Sequence, residues 1–190
     1  MEKFLPINLT ILNSHNSDCY QYYCYLYKAI DEQWISLSSN HQTINTKLLP
    51  KQNLAARIYS GYGDAAWRRY SSQWDKEQLL VVDNYTTLMP LQVWDRLYEI
   101  LSDMPLRSRN TWCKFYLTIY YLCHYHHNDY NIAVSTLATL LGSDRADVSS
   151  KILFFIDKGM LRRIGKYSPS DCRSYRYCIP QEYESKPFSK

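Results

Sequence analysis

The chain has 190 residues, of which 46% are hydrophobic and 21% charged, with a formal net charge of +4. That is enough for one good core or two small ones, and the composition is that of a globular chain rather than a disordered or fibrous one. No apolar run approaches the roughly 18 to 20 residues that span a bilayer, and "MEKFLPINLTIL" lacks a signal-peptide core with a cleavage site, so a cytoplasmic protein without membrane contact is expected.

In chain order, the first segment of strong character is "SDCYQYYCYLYKAIDEQWISL", an aromatic helix by its pattern. The chain holds 19 Tyr against 5 Gly. Tyrosine serves small cores and contact surfaces alike, and composition does not separate the two uses. "NLAARIYSG" and "GDAAWRRYSSQW" follow, and "TLMPLQVWDRLYEILSDMP" predicts a connecting helix over residues 90–102 that ends before Pro105. "NTWCKFYLTIYYLCHYHH" then places Trp112, Phe115, Tyr116, Ile119, Leu122 and Cys123 on one face of an amphipathic helix.

"YNIAV" reads as a short strand, with Ser135 capping a brief helix "TLATLLG" that closes at Gly142. Ser143 or Asp144 caps the next helix, in which Val148, Ile152, Phe155 and Ile156 share a face and which Gly159 stops. "MLRRIG" and "SYRYCI" are expected as two strands joined by the turn "KYSPSDC", and "QEYESKPFSK" as a flexible tail.

The run "TLATLLGSDRADVSSKILFFIDKGMLRRIGKY" resembles the winged helix-turn-helix superfamily over residues 108–180. A short helix ends at a glycine, a reading helix follows, and Lys158, Gly159, Met160, Leu161 and Arg162 supply the step into the wing. The resemblance implies a mainly α fold with small β wings, of the α+β class, and duplex DNA as the partner.

An internal repeat would extend the resemblance. At an offset of 82, residues 65–85 align with residues 147–167, matching Asp75 with Asp157, Lys76 with Lys158, Leu79 with Leu161 and Tyr85 with Tyr167. Two winged helices in tandem are therefore expected. Residues 1–89 would be an N-terminal unit with a degenerate winged helix, 90–107 a linker, 108–180 the C-terminal winged helix and 181–190 a tail. Such a tandem is similar to plasmid-type replication initiators, and a transcription regulator acting as a homodimer fits as well.

The expected DNA contacts follow from the chemistry of groove and phosphate. Arg145, Ser149, Ser150 and Lys151 lie on the reading helix; Arg162, Arg163, Lys166, Arg173 and Arg176 form a basic wing interleaved with Tyr167, Tyr175 and Tyr177. Arg68, Arg69 and Ser72 would be the equivalents in the first unit. Opposite the apolar face, a helical wheel puts Ala146, Asp147, Ser150, Phe154 and Asp157. Asp144 suits the helix macrodipole, whereas Asp147 faces the groove as an acceptor for a cytosine amine.

Phe154 on that face points to a protein contact, and with the acids it supports an alternative. Winged helices also act as protein-interaction modules, as in the tandem winged-helix subunits of chromosome-condensation complexes, and a phage or plasmid protein docking on a host complex fits the same pattern.

No enzyme signature emerges: there is no Walker loop, no GxSxG and no HExxH, and no catalytic residue or cofactor is expected. "CHYHH" invites a metal or a rolling-circle nuclease, but it continues a helical period, and the bland reading is histidines at a helix C-terminus. The cysteines at 19, 24, 113, 123, 172 and 178 form no CxxC knuckle, so free buried thiols rather than a metal site are expected.

Overall fold

The computed structural model describes residues 3–14, 17–31, 36–37, 44–45, 86–165 and 174–183. They form a mainly helical protein with small antiparallel sheets, an α+β arrangement. Two compact units divide the chain, residues 1–111 and 112–190.

In the first unit, strand β1 (Phe4–Asn8) runs antiparallel to β4 (Thr86–Pro90), with Phe4 opposite Pro90 and Asn8 opposite Thr86. Leu5, Ile7, Leu88 and Met89 are buried, so the ladder is core rather than rim. Helix α1 (Leu9–Ser14) follows β1, where the Asn8 carboxamide accepts from Thr10 N–H at 2.8 Å. A two-residue pair joins β2 (Ser36–Leu37) to β3 (Ile44–Asn45).

Helix α2 (Cys19–Asp31) carries the tyrosines, and Tyr20, Tyr22, Tyr23 and Tyr25 are all buried. Helix α3 (Leu91–Ser102) buries Leu91, Val93, Trp94, Leu97 and Leu101, a stripe at helical spacing. The Trp94 ring lies 6.3 Å from Tyr20, 6.1 Å from Tyr23 and 6.3 Å from Tyr27. Tyr20, Tyr22, Tyr23 and Tyr25 are core material, and burial pushes the Tyr20 and Tyr22 hydroxyls well above their ordinary range. The helix expected over residues 90–102 is present and falls within the first unit.

Helix α4 (Leu106–Tyr125) begins in the first unit. There the buried Asn110 accepts from Tyr20 N–H at 3.0 Å and donates to the Ser17 carbonyl at 2.7 Å, capping α2 through its side chain.

The second unit takes the rest of α4, then β5 (Tyr130–Asn131), α5 (Val134–Leu141), α6 (Arg145–Asp157), β6 (Arg162–Ile164) and β7 (Arg176–Cys178). This is the order expected from the sequence. The three strands form one antiparallel sheet in the order β5-β7-β6, which pairs Tyr130 with Tyr177 and Tyr177 with Arg163. Phe115, Tyr116, Val148, Ile152, Phe155 and Met160 are buried, with Phe115 and Phe155 stacked at 5.8 Å and the Tyr116 hydroxyl donating to the Met160 carbonyl at 3.2 Å.

Helix ends follow local chemistry. Gly142 ends α5 at φ 62°, and Ser143 N–H returns to the Ala138 carbonyl at 3.0 Å. Gly159, at φ 72°, ends α6, where Met160 N–H reaches the Phe155 carbonyl at 2.9 Å. Ser135 is not a cap: α5 starts one residue earlier, with Ala133 at the N-cap offering no side-chain acceptor. Residues 181–183 make a single 3-10 turn whose Tyr183 carbonyl accepts from the Tyr120 hydroxyl at 3.1 Å.

The repeat alignment at residues 65–85, with Arg68, Arg69 and Ser72, lies outside the described residues, as do Lys166, Arg173 and residues 184–190. Cys19, Cys24, Cys113, Cys123 and Cys178 are free and buried, as expected; Cys172 is outside the described residues. Among the described residues no helix is long and apolar enough to cross a membrane.

Candidate nucleic-acid interface

Helix α6 opens with Asp144 as N-cap, its carboxylate accepting from Asp147 N–H at 2.7 Å. Asp147 in turn accepts from the Ser143 hydroxyl and from the Lys151 ammonium, the latter at 2.6 Å. Burial alone would raise the Asp147 pKa, but the hydrogen bonds and charge of Lys151 and Ser143 outweigh it and hold the carboxyl below its ordinary value. Both acids at the start of the helix therefore have structural partners, and the charge of Asp147 is compensated inside the protein.

The pairing occupies Lys151, one of the expected DNA contacts. Its side chain is 7% exposed, and its ammonium sits 5.8 Å from the centre of the Trp112 ring. The stem of a lysine can line a core when the head finds a carboxylate, and here it does. Lys151 joins Val148, Ile152 and Phe155 on the buried stripe, while Ile156 is only half-buried, so the stripe is rotated by roughly 30° from the wheel centre drawn through Val148 and Ile152.

The exposed face consequently runs through Ala146, Ser150, Leu153 and Asp157. Phe154, expected there, is half-buried with its ring 4.6 Å from Trp112 and 5.3 Å from Phe155, an aromatic cluster within the unit. The apolar residue that faces outward is Leu153, 57% exposed. Ser149 is half-buried; Ser150 is exposed, its hydroxyl donating to the Ala146 carbonyl at 2.9 Å.

The cations divide into two groups. Arg145 at the start of α6 and Arg162 and Arg163 on the edge strand β6 are exposed, with no ion pair among the described residues. The Arg163 guanidinium lies 4.0 Å from the centre of the Tyr175 ring, which fixes a long side chain without neutralising it. Arg176 is exposed but not free, since both oxygens of Asp129 accept from its guanidinium. Those hydrogen bonds hold the Asp129 carboxyl below its ordinary value and raise the Arg176 pKa. Arg176, expected as a DNA contact of the wing, is thus ion-paired with Asp129.

Between Arg145, the first residues of α5 and the approach to β7 lies an open cleft of about 410 Å³, lined by Ile132, Val134, Ser135, Arg145, Ser174 and Tyr175. Sequence reading did not find it, because its walls come from three separate segments. Asp129 was missed for the same reason.

At the end of α4, His124 stacks on Tyr120 and His126 on Tyr130, and among the described residues no group of His, Cys, Asp or Glu is arranged to hold a metal ion. His127 and Asn128 take left-handed backbone conformations, and the Asn128 side chain bonds the backbone of Ile179 twice. That clamp ties the turn before β5 to the end of β7 and so holds the sheet beside α4.

No protein-family model, no curated protein and no solved structure matches the chain.

Proposed function

We propose that residues 108–180 are a winged helix-turn-helix that binds double-stranded DNA, with α6 and the β6–β7 hairpin against the duplex, in a transcription regulator or a replication initiator. The observation that carries the reading is the trio Arg145, Arg162 and Arg163, exposed and without carboxylate partners among the described residues, beside a helix whose exposed face bears the small residues Ala146 and Ser150. Unpaired cations hold phosphates, and small side chains admit a helix to the major groove. The first winged helix of a tandem, with Arg68, Arg69 and Ser72, belongs to the same proposal.

The salt dependence of binding tests it. Three phosphate contacts give a slope of log affinity against log salt of about −2.7, at roughly −0.9 per contact. Arg162→Ala together with Arg163→Ala flattens the slope by about 1.8. A slope unchanged by the pair removes the wing from the interface. Lys151→Met leaves the slope as it was, because the Lys151 ammonium is spent on Asp147.

Leu153 favours a second reading, the protein-interaction module. An exposed leucine at the centre of the face that would enter the groove suits an apolar partner surface. Leu153→Ser separates the two: it weakens a protein complex and leaves DNA affinity within about twofold, since it removes no phosphate contact.

A further inference from the structure

We infer that α6 selects A·T base pairs in the major groove, with the Ala146 methyl group against the 5-methyl of thymine and the Ser150 hydroxyl accepting from the adenine amine. The inference rests on the duplex reading above and names the class of sequence that the same face would take. Ala146, Ser150, Leu153 and Asp157 are exposed and follow one another at steps of four, three and four residues, so they form a single stripe along the helix. A helix set into the groove meets base edges with its N-terminal residues. Ala146 and Ser150 are therefore the readers, and Leu153 and Asp157 lie beyond them.

The donors missing from that stripe decide the base. Guanine shows two acceptors in the major groove, N7 and O6, and is read by the donors of a long Arg or Lys side chain. The stripe has no Arg, Lys, Asn or Gln. The lysine of this helix, Lys151, is turned inward onto Asp147 at 2.6 Å, with its side chain 7% exposed. Asp147, an acceptor suited to cytosine, is engaged by Lys151 and by the Ser143 hydroxyl. Arg145 points about 100° around the helix from Ala146 and is the phosphate-holding cation of the duplex reading.

The Ser150 hydroxyl has one proton, which goes to the Ala146 carbonyl at 2.9 Å. What Ser150 offers outward is thus an acceptor, and a guanine edge opposite it would set acceptor against acceptor. Adenine and cytosine both present an amine to it, but only the adenine pair adds a methyl group for Ala146 to cover. One helical turn separates the two side chains, about 5 to 6 Å between Cβ atoms, a span that fits partners in one base pair or in neighbouring pairs.

The test uses the full chain and three duplexes of equal length: alternating dA-dT, the same with deoxyuridine for thymidine, and alternating dG-dC. Uracil lacks only the 5-methyl group, which lies in the major groove, so a preference arising in the minor groove survives the exchange. Binding is expected to be tightest to dA-dT, roughly fourfold weaker for each covered methyl that the uracil duplex lacks, and weaker still to dG-dC. Ala146→Gly abolishes the thymine–uracil difference. Ser150→Ala, which removes the acceptor, narrows the gap between the uracil duplex and dG-dC. Circular dichroism melts establish that each variant is folded. Equal affinity for the thymine and uracil duplexes, a difference that folded Ala146→Gly retains, or a gap that Ser150→Ala leaves unchanged overturns the inference, and binding to the duplexes then leaves the duplex reading standing. Absence of salt-dependent binding to all three defeats the duplex reading itself.

Discussion

The charged residues of α6 and the hairpin show how far a side chain's role depends on its neighbours. Asp147 and Lys151 are one helical turn apart, so their pairing is legible from spacing, but the depth of Lys151 is not. Asp147→Ala strands a buried ammonium and is expected to destabilise the second unit by about 1 to 3 kcal/mol, less than a fully buried pair because the Asp147 side chain is 37% exposed. Lys151→Met removes the need for the carboxylate and is expected to be nearly neutral. Chemical denaturation of the two variants checks both.

The pair also sets an acid limit. The folded pKa of Asp147 is held below its ordinary 3.8, so the stabilisation is present above that value and is lost as pH falls through the depressed folded value. Asp129, held down by Arg176, acts in the same direction. Melting temperature against pH should fall below about pH 4, and Asp147→Asn should flatten that limb. A limb that Asp147→Asn leaves unchanged would show that the pair contributes nothing there.

At the scale of elements, the caps and turns of the second unit were written in short-range signals. Gly142 and Gly159 sit where left-handed backbone is required, and a Cβ at either would meet no atom within 4 Å. Gly142→Ala is therefore strained by conformation alone, and a loss of about 1 kcal/mol in unfolding free energy is expected. Asn128 works across elements, closing a turn and clamping the end of β7 with bonds of 2.7 and 2.5 Å. Asn128→Ala loses both bonds and leaves two backbone groups of Ile179 unpaired, for an expected cost of about 2 to 3 kcal/mol. Hydrogen exchange at Ile179 N–H would report the loss directly. The start of α5 shows the limit of such signals: Ser135 has the chemistry of a cap, but the helix begins a residue before it.

For the whole molecule, the chain divides into two units, each with its own buried residues. Trp94→Ala empties the centre of the aromatic cluster in the first unit and should cost about 3 to 5 kcal/mol there. Amide protection should fall first in residues 86–102, with the second unit retaining its own.

What the sequence determined by itself was the order of elements in residues 108–180 and most of their ends, because helical period, capping residues and left-handed glycines act within a few residues of one another. Tertiary structure alone decided which polar groups remain available. Arg176 meets Asp129 across 47 residues, Asn8 meets Thr86 across 78, and Trp94 packs beside Tyr20 and Tyr23 of α2. Such contacts depend on which surfaces the folded chain brings together, and no local pattern encodes that.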